Sequence, residues 1–460
     1  MPHSGPVDVA IVGAGASGVM VAAQIVRQSR AAGSAVPSVL LIESAEQPGC
    51  GVAYATAQAE HLLNVAAANM SILPDQPQHF VQWLVEQGHP PQYLGDHYIP
   101  RRLYGRYLQA QLEQAQTHGV RLRQGRVVAL ESGGIHRLQL ADGHVVDADA
   151  VVLAIGNTPH RLPVPHEGID VVDAWNDAAL AGIPTDSHVA IVGAGLSMVD
   201  AVLTLSANHH RGRIDVFSRH GLGPLAHDHD HDHAELDIDA FAALRLRVRL
   251  HHLRRWIAEH PQQPWQATMR SLRGPAQRLW QSLDQPDQRR FLRHVVRYWD
   301  IHRHRIAPQV AATLDAMRAI GQLHLHAGRP RRLVMSKDRV DVVFVPRHES
   351  RETSLQVDCV INATGLETHL EQSSDPLLRS LIATGSARPG PHGRGLDTSA
   401  DGSVLDRSGA AHPALHTLGS PRIGSLWESI AIPDLRVHAA DLATQLLRLS
   451  SRSSAVSRGA

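Results

Sequence analysis

The sequence predicts an α/β fold of two Rossmann-like dinucleotide-binding domains, the second inserted into the first and carrying a helical insertion. Three observations predict it. First, Val9-Ala-Ile-Val-Gly-Ala-Gly15 recurs as Val189-Ala-Ile-Val-Gly-Ala-Gly195, 180 residues later. Each copy is a β-branched apolar run, a Gly-x-Gly turn and an apolar-periodic segment: strand, tight turn, helix. Second, Asp149-Ala-Val-Val-Leu-Ala-Ile-Gly156 aligns with Asp358-Cys-Val-Ile-Asn-Ala-Thr-Gly365, and each lies downstream of one glycine motif. A chain that leaves one domain, builds another and returns needs such paired strands. Third, residues 235–325 follow a helical pattern, with Trp256, Trp265, Trp280 and Trp299 spread among arginines. The expected organisation is an FAD-binding part at 1–165 and an NAD(P)H-binding domain at 166–354. The FAD domain resumes at 355–449, and a Ser/Arg-rich tail at 450–460 is expected to be disordered.

The first motif places Gly13, Gly15, Ser17 and Gly18 at a strand-to-helix turn. The first glycine permits the turn. The second lets backbone approach a pyrophosphate, and the helix N-terminus presents free N–H groups to it. Val39-Leu-Leu-Ile-Glu43 reads as the second strand, with Glu43 25 residues after Gly18. A carboxylate there accepts ribose hydroxyls and repels a 2′-phosphate, so FAD or NAD fits and NADP does not. Gly156 closes the crossing strand.

In the second motif Gly193, Gly195 and Ser197 repeat the pattern, but Met198 replaces the third glycine. That predicts looser helix–strand packing and a less tightly held nucleotide. Arg213-Ile-Asp-Val-Phe-Ser-Arg219 is the equivalent second strand and ends on Arg219. A guanidinium suits a 2′-phosphate or stacks on adenine, which leans toward NADPH. Gly365 closes the second crossing strand, and Leu415-His-Thr-Leu-Gly419 reads as the last strand of the first domain. A tightly held FAD and an exchangeable NADH or NADPH is the division these differences suggest.

Composition excludes several classes. The chain has 460 residues, with 44 Lys+Arg against 44 Asp+Glu, so nothing in its charge calls for nucleic acid or an anionic membrane. Its length supports a large core without staples. Two cysteines, Cys50 and Cys359, form no C-x-x-C pair, so a dithiol redox centre, a Cys-ligated zinc site and a disulfide scaffold are not expected. No apolar run reaches the ~18 residues a membrane helix needs. The first strand begins by Val7, leaving no room for a signal peptide. A cytoplasmic protein is the expectation. The run His227-Asp-His-Asp-His-Asp-His233 could chelate a cation, but no partner ligands are identifiable, and it reads as a solvated loop; no metal is assigned.

Further stretches carry a resemblance: Gly49-Cys-Gly-Val-Ala-Tyr54, His61-Leu-Leu-Asn-Val65, Asn69-Met-Ser71, Phe80-Val-Gln-Trp-Leu84, Pro100-Arg-Arg-Leu-Tyr-Gly-Arg-Tyr-Leu108, Ser218-Arg-His-Gly221 and Gly424-Ser-Leu-Trp-Glu-Ser429. Across nearly its whole length the chain resembles a bacterial group of flavoprotein monooxygenases with two dinucleotide-binding domains. The group includes flavoprotein urate hydroxylase and the nitrosuccinate-forming aspartate N-hydroxylase. The resemblance implies that NAD(P)H reduces FAD, that the reduced flavin takes up dioxygen at C4a, and that the hydroperoxide hydroxylates a small molecule. Urate, giving 5-hydroxyisourate, is the substrate it favours, with an amino acid or amine N-hydroxylase as the alternative. A substrate-independent NAD(P)H oxidase or flavin redox sensor is the remaining class.

The same resemblance implies site residues. Asn64 and Met70, with His61 and Asn69, belong to a loop beside the flavin. Arg101 and Tyr104 head an amphipathic helix, where Arg suits a carboxylate or anionic purine. A helix from about Asp434, with Asp434 as N-cap, would face the flavin pyrimidine, and Arg422, Trp427 and Glu428 would line the mouth of the site. No catalytic acid or base is assigned, since the flavin hydroperoxide itself supplies the oxygen atom.

Overall fold

The structure, a computed structural model, describes residues 6–90, 92, 94–158, 160–228, 234–428 and 430–458, with side chains described to residue 451. The chain divides into two compact units. One comprises Met1–Ala59, Val65–Thr158 and Leu366–Ala460; the other comprises Glu60–Asn64 and Pro159–Gly365.

The first unit is built on an eight-stranded sheet. Its strands are β1 (Val7–Val12), β2 (Val39–Glu43), β3 (Arg121–Gln124), β4 (Val127–Glu131), β5 (His136–Leu140) and β6 (Val145–Leu153). After the strands of the second unit, β14 (Ser403–Leu405) and β15 (Ala411–Thr417) return to the first sheet. The order is β14-β15-β6-β1-β2-β3, with the β4–β5 hairpin joined to β6. β1 is central: Val9 stands beside Val39 of β2 and Ala150 of β6, parallel to both. Its Val-Asp-Val-Ala-Ile-Val run is buried almost throughout, as a parallel strand covered on both faces requires. The helix Ala16–Ala31 follows the glycine turn.

In the second unit the strands are β7 (Val171–Asp173), β8 (Val189–Val192), β9 (Ile214–Ser218), β10 (Leu323–Ser336), β11 (Arg339–Pro346), β12 (Thr353–Val357) and β13 (Cys359–Asn362). The order is β12-β11-β10-β9-β8-β13-β7. β10 starts parallel to β9, with Leu323 beside Ile214, then continues as the first strand of an antiparallel meander with β11 and β12. Between β9 and β10 lie helices from Ile238–Ala243 to Pro308–Ala319. Phe241, Leu272 and Leu279 form their own small core, joined by Leu253, Met269 and Trp299. Arg249, only 5% exposed, staples it by donating to the carbonyls of Leu279, Ala242 and Leu244. Arg249 and Trp299 of this segment therefore serve packing.

Two expectations need correction. The final helix runs from Ile432 to Arg458, through the stretch expected to be disordered. After Pro433 in its first turn no Gly or Pro interrupts it before Gly459, and Arg and Ser propagate a helix already docked upstream. The helix also begins at Ile432, so Asp434 lies in its first turn instead of capping it. Among the described residues, no helix is long and apolar enough to cross a membrane.

Candidate functional site

In the first unit, the predicted nucleotide residues converge at the carboxyl ends of β1, β2, β6 and β15, where ligands of open α/β sheets sit. Gly13 turns with φ +101°, and a Cβ there would stand 2.3 Å from the carbonyl oxygen of Ala154. A Cβ at Gly18 would stand 2.0 Å from the carbonyl oxygen of Gly13. Neither position tolerates a side chain without moving backbone, so the turn is a cradle that only glycine permits. Gly15 caps the helix in an extended conformation and lies against Gly51, whose Cα would be 3.5 Å from a Cβ on Gly15. The N–H of Gly49 donates to the carbonyl of Ala14 at 2.8 Å, so the Gly49-Cys-Gly51 turn closes over the loop.

Glu43 ends β2, and its carboxylate is fixed by backbone donors. The N–H of Ala14 donates to Oε2 at 2.7 Å and that of Ala45 to Oε1 at 2.9 Å. These bonds fix both carboxylate oxygens at the end of the strand and leave lone pairs for further donors. Gly156 follows β6 with φ +68°. Gly419 follows β15 and approaches the start of the first helix so closely that a Cβ would meet Ser17 Oγ at 2.9 Å.

The second unit has a cleft of about 650 Å³ at the carboxyl ends of its own strands. Gly193, Gly195, Ser197, Arg219 and Gly365 all line it. Gly193 repeats the close approach, with a Cβ position 2.1 Å from the carbonyl of Ala363. Ser197 Oγ accepts the indole N–H of Trp175 at 3.2 Å. The turn after β9 is locked by Ser218, whose hydroxyl accepts the N–H of Gly221 at 3.0 Å, and it presents Arg219 and His220 to the cleft. Arg297, His304 and Arg329 join them, against the single carboxylate of Asp300. Burial, with Arg303 and Arg297 nearby, pushes His304 down to about 4, so it stands as neutral imidazole at pH 7. The cleft suits a polyanion.

Sequence reading missed Arg297. It lies 102 residues after Gly195, and no spacing rule links the two. The one available signal is the density of cations over Arg297–Arg305.

The remaining predicted residues are placed as follows. Tyr104 is wholly buried, its ring 4.7 Å from Tyr54, 5.1 Å from Phe80 and 5.6 Å from Tyr107. It is a core residue and cannot meet a substrate in this conformation. Its neighbour Gly105 shows why the helix Arg101–Thr117 docks here: a Cβ would meet the carbonyl of Tyr54 at 2.6 Å. Arg101 stays partly exposed at the head of that helix. Arg422 is also turned inward, 4% exposed, donating to the carbonyls of Ser399 at 3.1 Å and Ala400 at 3.0 Å. It holds a turn instead of lining a mouth. Trp427 is partly buried, and Glu428 adopts φ +62°.

Met70 is buried in the first unit. His61 and Asn64 fall in the second, where His61 Nε2 lies 3.0 Å from both the Asp200 carbonyl and the Thr204 hydroxyl. The carbonyl of Asn64 accepts from His227 Nε2 at 3.0 Å. Of the His-Asp run, 229–233 lie outside the described residues. His227 is held neutral, its pKa pushed down to about 4 by burial and by Arg305. Among the described residues, no group of three or more His, Cys, Asp or Glu is arranged to hold a metal. Burial raises both thiols, Cys359 to about 11, and the two cysteines lie in different units.

Residues 10–158 match the FAD-NAD(P)-binding family model. No curated protein matches the chain. Among solved structures, ornithine hydroxylase from Pseudomonas aeruginosa is similar with a TM-score of 0.67 at 17% identity, over 96% of this chain and 99% of that one. L-lysine 6-monooxygenase from Pseudomonas syringae gives 0.68 at 18% identity, over 96% and 99%. Ornithine N-hydroxylase from Kutzneria sp. 744, solved with reduced FAD, NADP+ and L-ornithine, gives 0.65 at 14% identity, over 96% and 99%. The chain therefore has the fold of these structures, and it carries an FAD-NAD(P)-binding module at 10–158.

Proposed function

We propose that the protein is an FAD-dependent monooxygenase that takes electrons from NADPH or NADH and N-hydroxylates an amino acid or amine with dioxygen. The observation that carries this reading is the pairing of two glycine cradles with opposite strand-end chemistry. The first has Glu43 for a ribose, and the second opens on a cationic cleft. The fold shared along almost the full chain with ornithine and lysine hydroxylases supports the substrate class. Nothing in those relatives favours urate, which the sequence resemblance had placed first.

The residues fit the cofactors. Gly13, Gly15 and Gly18 would bring backbone N–H groups to the FAD diphosphate, and Glu43 would accept the adenosine ribose hydroxyls. Gly156 and Gly419 would let backbone pass close to the rest of the cofactor. In the second unit Gly193 and Gly195 would hold the nicotinamide dinucleotide, with Arg219 beside its adenosine end. Bound FAD stores the two electrons and activates dioxygen. No side chain is required as general acid or base for that step, and none is assigned.

The test uses FAD-loaded protein. NADH and NADPH oxidation, oxygen uptake and peroxide release are followed with ornithine, lysine, cadaverine, aspartate and urate in turn. Oxidation stimulated by an amino acid or amine, with little peroxide and a hydroxylamine product, is the expected result. Coupling to urate alone would overturn the N-hydroxylase reading. Peroxide release unaffected by every substrate would make the protein an NAD(P)H oxidase.

A further inference from the structure

The repeated heptapeptide allows a position-by-position comparison. Ala14 and Ala194 are the same residue of the two copies. The carbonyl of Ala14 accepts a neutral backbone N–H, from Gly49 at 2.8 Å. The carbonyl of Ala194 accepts a guanidinium, Arg297 Nη2, at 2.5 Å. The same Nη2 donates to the carbonyl of Leu222 at 2.7 Å, just beyond the turn that presents Arg219 and His220. Arg297 comes from the helix Val296–Arg303 of the helical insertion. One cation thus bridges the glycine loop and the loop after β9.

A hydrogen bond to Ala194 needs no charge, as the first unit demonstrates. Burial of the guanidinium opposes its charge most strongly; Asp300 on the same helix favours the charge and Arg219 nearby repels it. Both hydrogen bonds use Nη2. Nη1 lies 4.0 Å from where Gly195 would carry a Cβ, over the cap of the helix Leu196–Ala207, and Arg297 lines the cleft. That is where a dinucleotide's diphosphate approaches backbone in this fold. Met198 follows in place of the third glycine, and the first helical bond, Val199 N–H to Gly195 carbonyl, is 3.3 Å against 3.0 Å for Val19 to Gly15. The second loop has the longer first helical bond, and it is the one with a cation over it.

We propose that Arg297 is a diphosphate-binding residue, through which the helical insertion becomes part of the nicotinamide-nucleotide site. Its ligand class is a nucleoside diphosphate, the ADP portion of the dinucleotide. This rests on reading the cleft as the nicotinamide-nucleotide site.

The experiment measures direct binding of two probes by calorimetry to the full-length, FAD-loaded protein. ADP carries the diphosphate without a 2′-phosphate; adenosine 2′-monophosphate carries the reverse. Arg297→Ala is expected to weaken ADP at least about tenfold, the size of one charge-assisted contact, and the 2′-monophosphate less than about twofold. Arg219→Ala is expected to show the opposite pattern. Arg297→Lys should recover part of the ADP affinity. Arg297→Gln keeps neutral donors for the two carbonyls, so if Arg297→Ala fails to fold, Gln and Lys compared with each other read the charge alone. Unchanged ADP binding in these variants overturns the proposal. Equal loss of both probes assigns Arg297 to loop support and also overturns it. If the unaltered protein binds neither NADPH, NADH nor ADP, the reading of the cleft itself fails, which is a different outcome.

Discussion

The two dinucleotide units begin from one heptapeptide and diverge at the positions that shape the loop around it. In the first, the third glycine is present, the second strand ends on an acid, and a backbone turn closes the loop. In the second, the third glycine is Met198, the strand ends on Arg219, and a side chain from the helical insertion closes the loop. The first arrangement pairs a carboxylate at the strand end with a loop closed by backbone. The second is cationic, looser and made of side chains. Backbone cradles hold a ligand by close approach and do not adjust. Side-chain cradles bind through charge and can release, which suits a coenzyme that must leave after each turnover.

The sharpest way to break this comparison is to exchange the third position. Gly18→Met writes the second loop into the first, and the added Cβ meets the Gly13 carbonyl at 2.0 Å. Purified variant is expected to retain essentially no FAD, read as the ratio of flavin to protein absorbance. The reciprocal Met198→Gly empties a side chain that is 1% exposed and puts glycine in a helix, costing roughly 3–5 kcal/mol of stability. Denaturant melts check the stability, and NADPH affinity is expected to stay within about threefold. A Gly18→Met protein with full flavin would dissolve the distinction.

Glu43→Ala comes next. It removes the ribose acceptor and leaves the Ala14 N–H without its 2.7 Å partner. FAD affinity should fall roughly ten- to hundredfold by fluorescence titration of apoprotein, with NADPH affinity unchanged. Arg219→Ala should raise KM for NADPH about tenfold and leave NADH within about twofold, since only NADPH has a 2′-phosphate. Equal effects on both coenzymes would move Arg219 from the phosphate to the adenine.

A separate effect is on stability against pH. His136 of β5 is fully buried, and burial with His412 and His416 nearby holds it down to about 4. His416 and His412 are lowered too, first by burial. Below the ordinary value near 6.5 the unfolded chain takes up the proton while the folded one does not, so unfolding binds protons. Stability of the first unit should be full above about pH 6.5 and fall as pH drops toward about 4, by roughly 3 kcal/mol for His136. His136→Phe should flatten that slope in melts recorded from pH 7 to 4.5. An unchanged slope would place the acid sensitivity elsewhere.

Much of the architecture was legible because it depends on local pattern. β2 lies over Val39–Glu43, where its apolar run and terminal acid put it, and both glycine turns join a strand to a helix. Repetition within one chain made those turns specific. The Arg- and Tyr-bearing segments were not legible in the same way. Residue type says what Tyr104 or Arg422 could bind, and both could serve a substrate. Packing turned Tyr104 into an aromatic core and Arg422 onto the carbonyls of Ser399 and Ala400. The tail misled because composition alone does not report that a helix is already running when the Ser/Arg stretch begins.

By itself, then, the sequence determined the fold class, the two nucleotide cradles and the contrast of Glu43 with Arg219, since each follows from a few contiguous residues whose geometry is local. The tertiary structure decided which cations face the second loop, which polar residues are core, and that Ala194 is bonded by Arg297 where Ala14 is bonded by Gly49. Those facts join residues about a hundred positions apart, or set the direction of a side chain. Such outcomes depend on how whole elements pack, which no short stretch of sequence encodes.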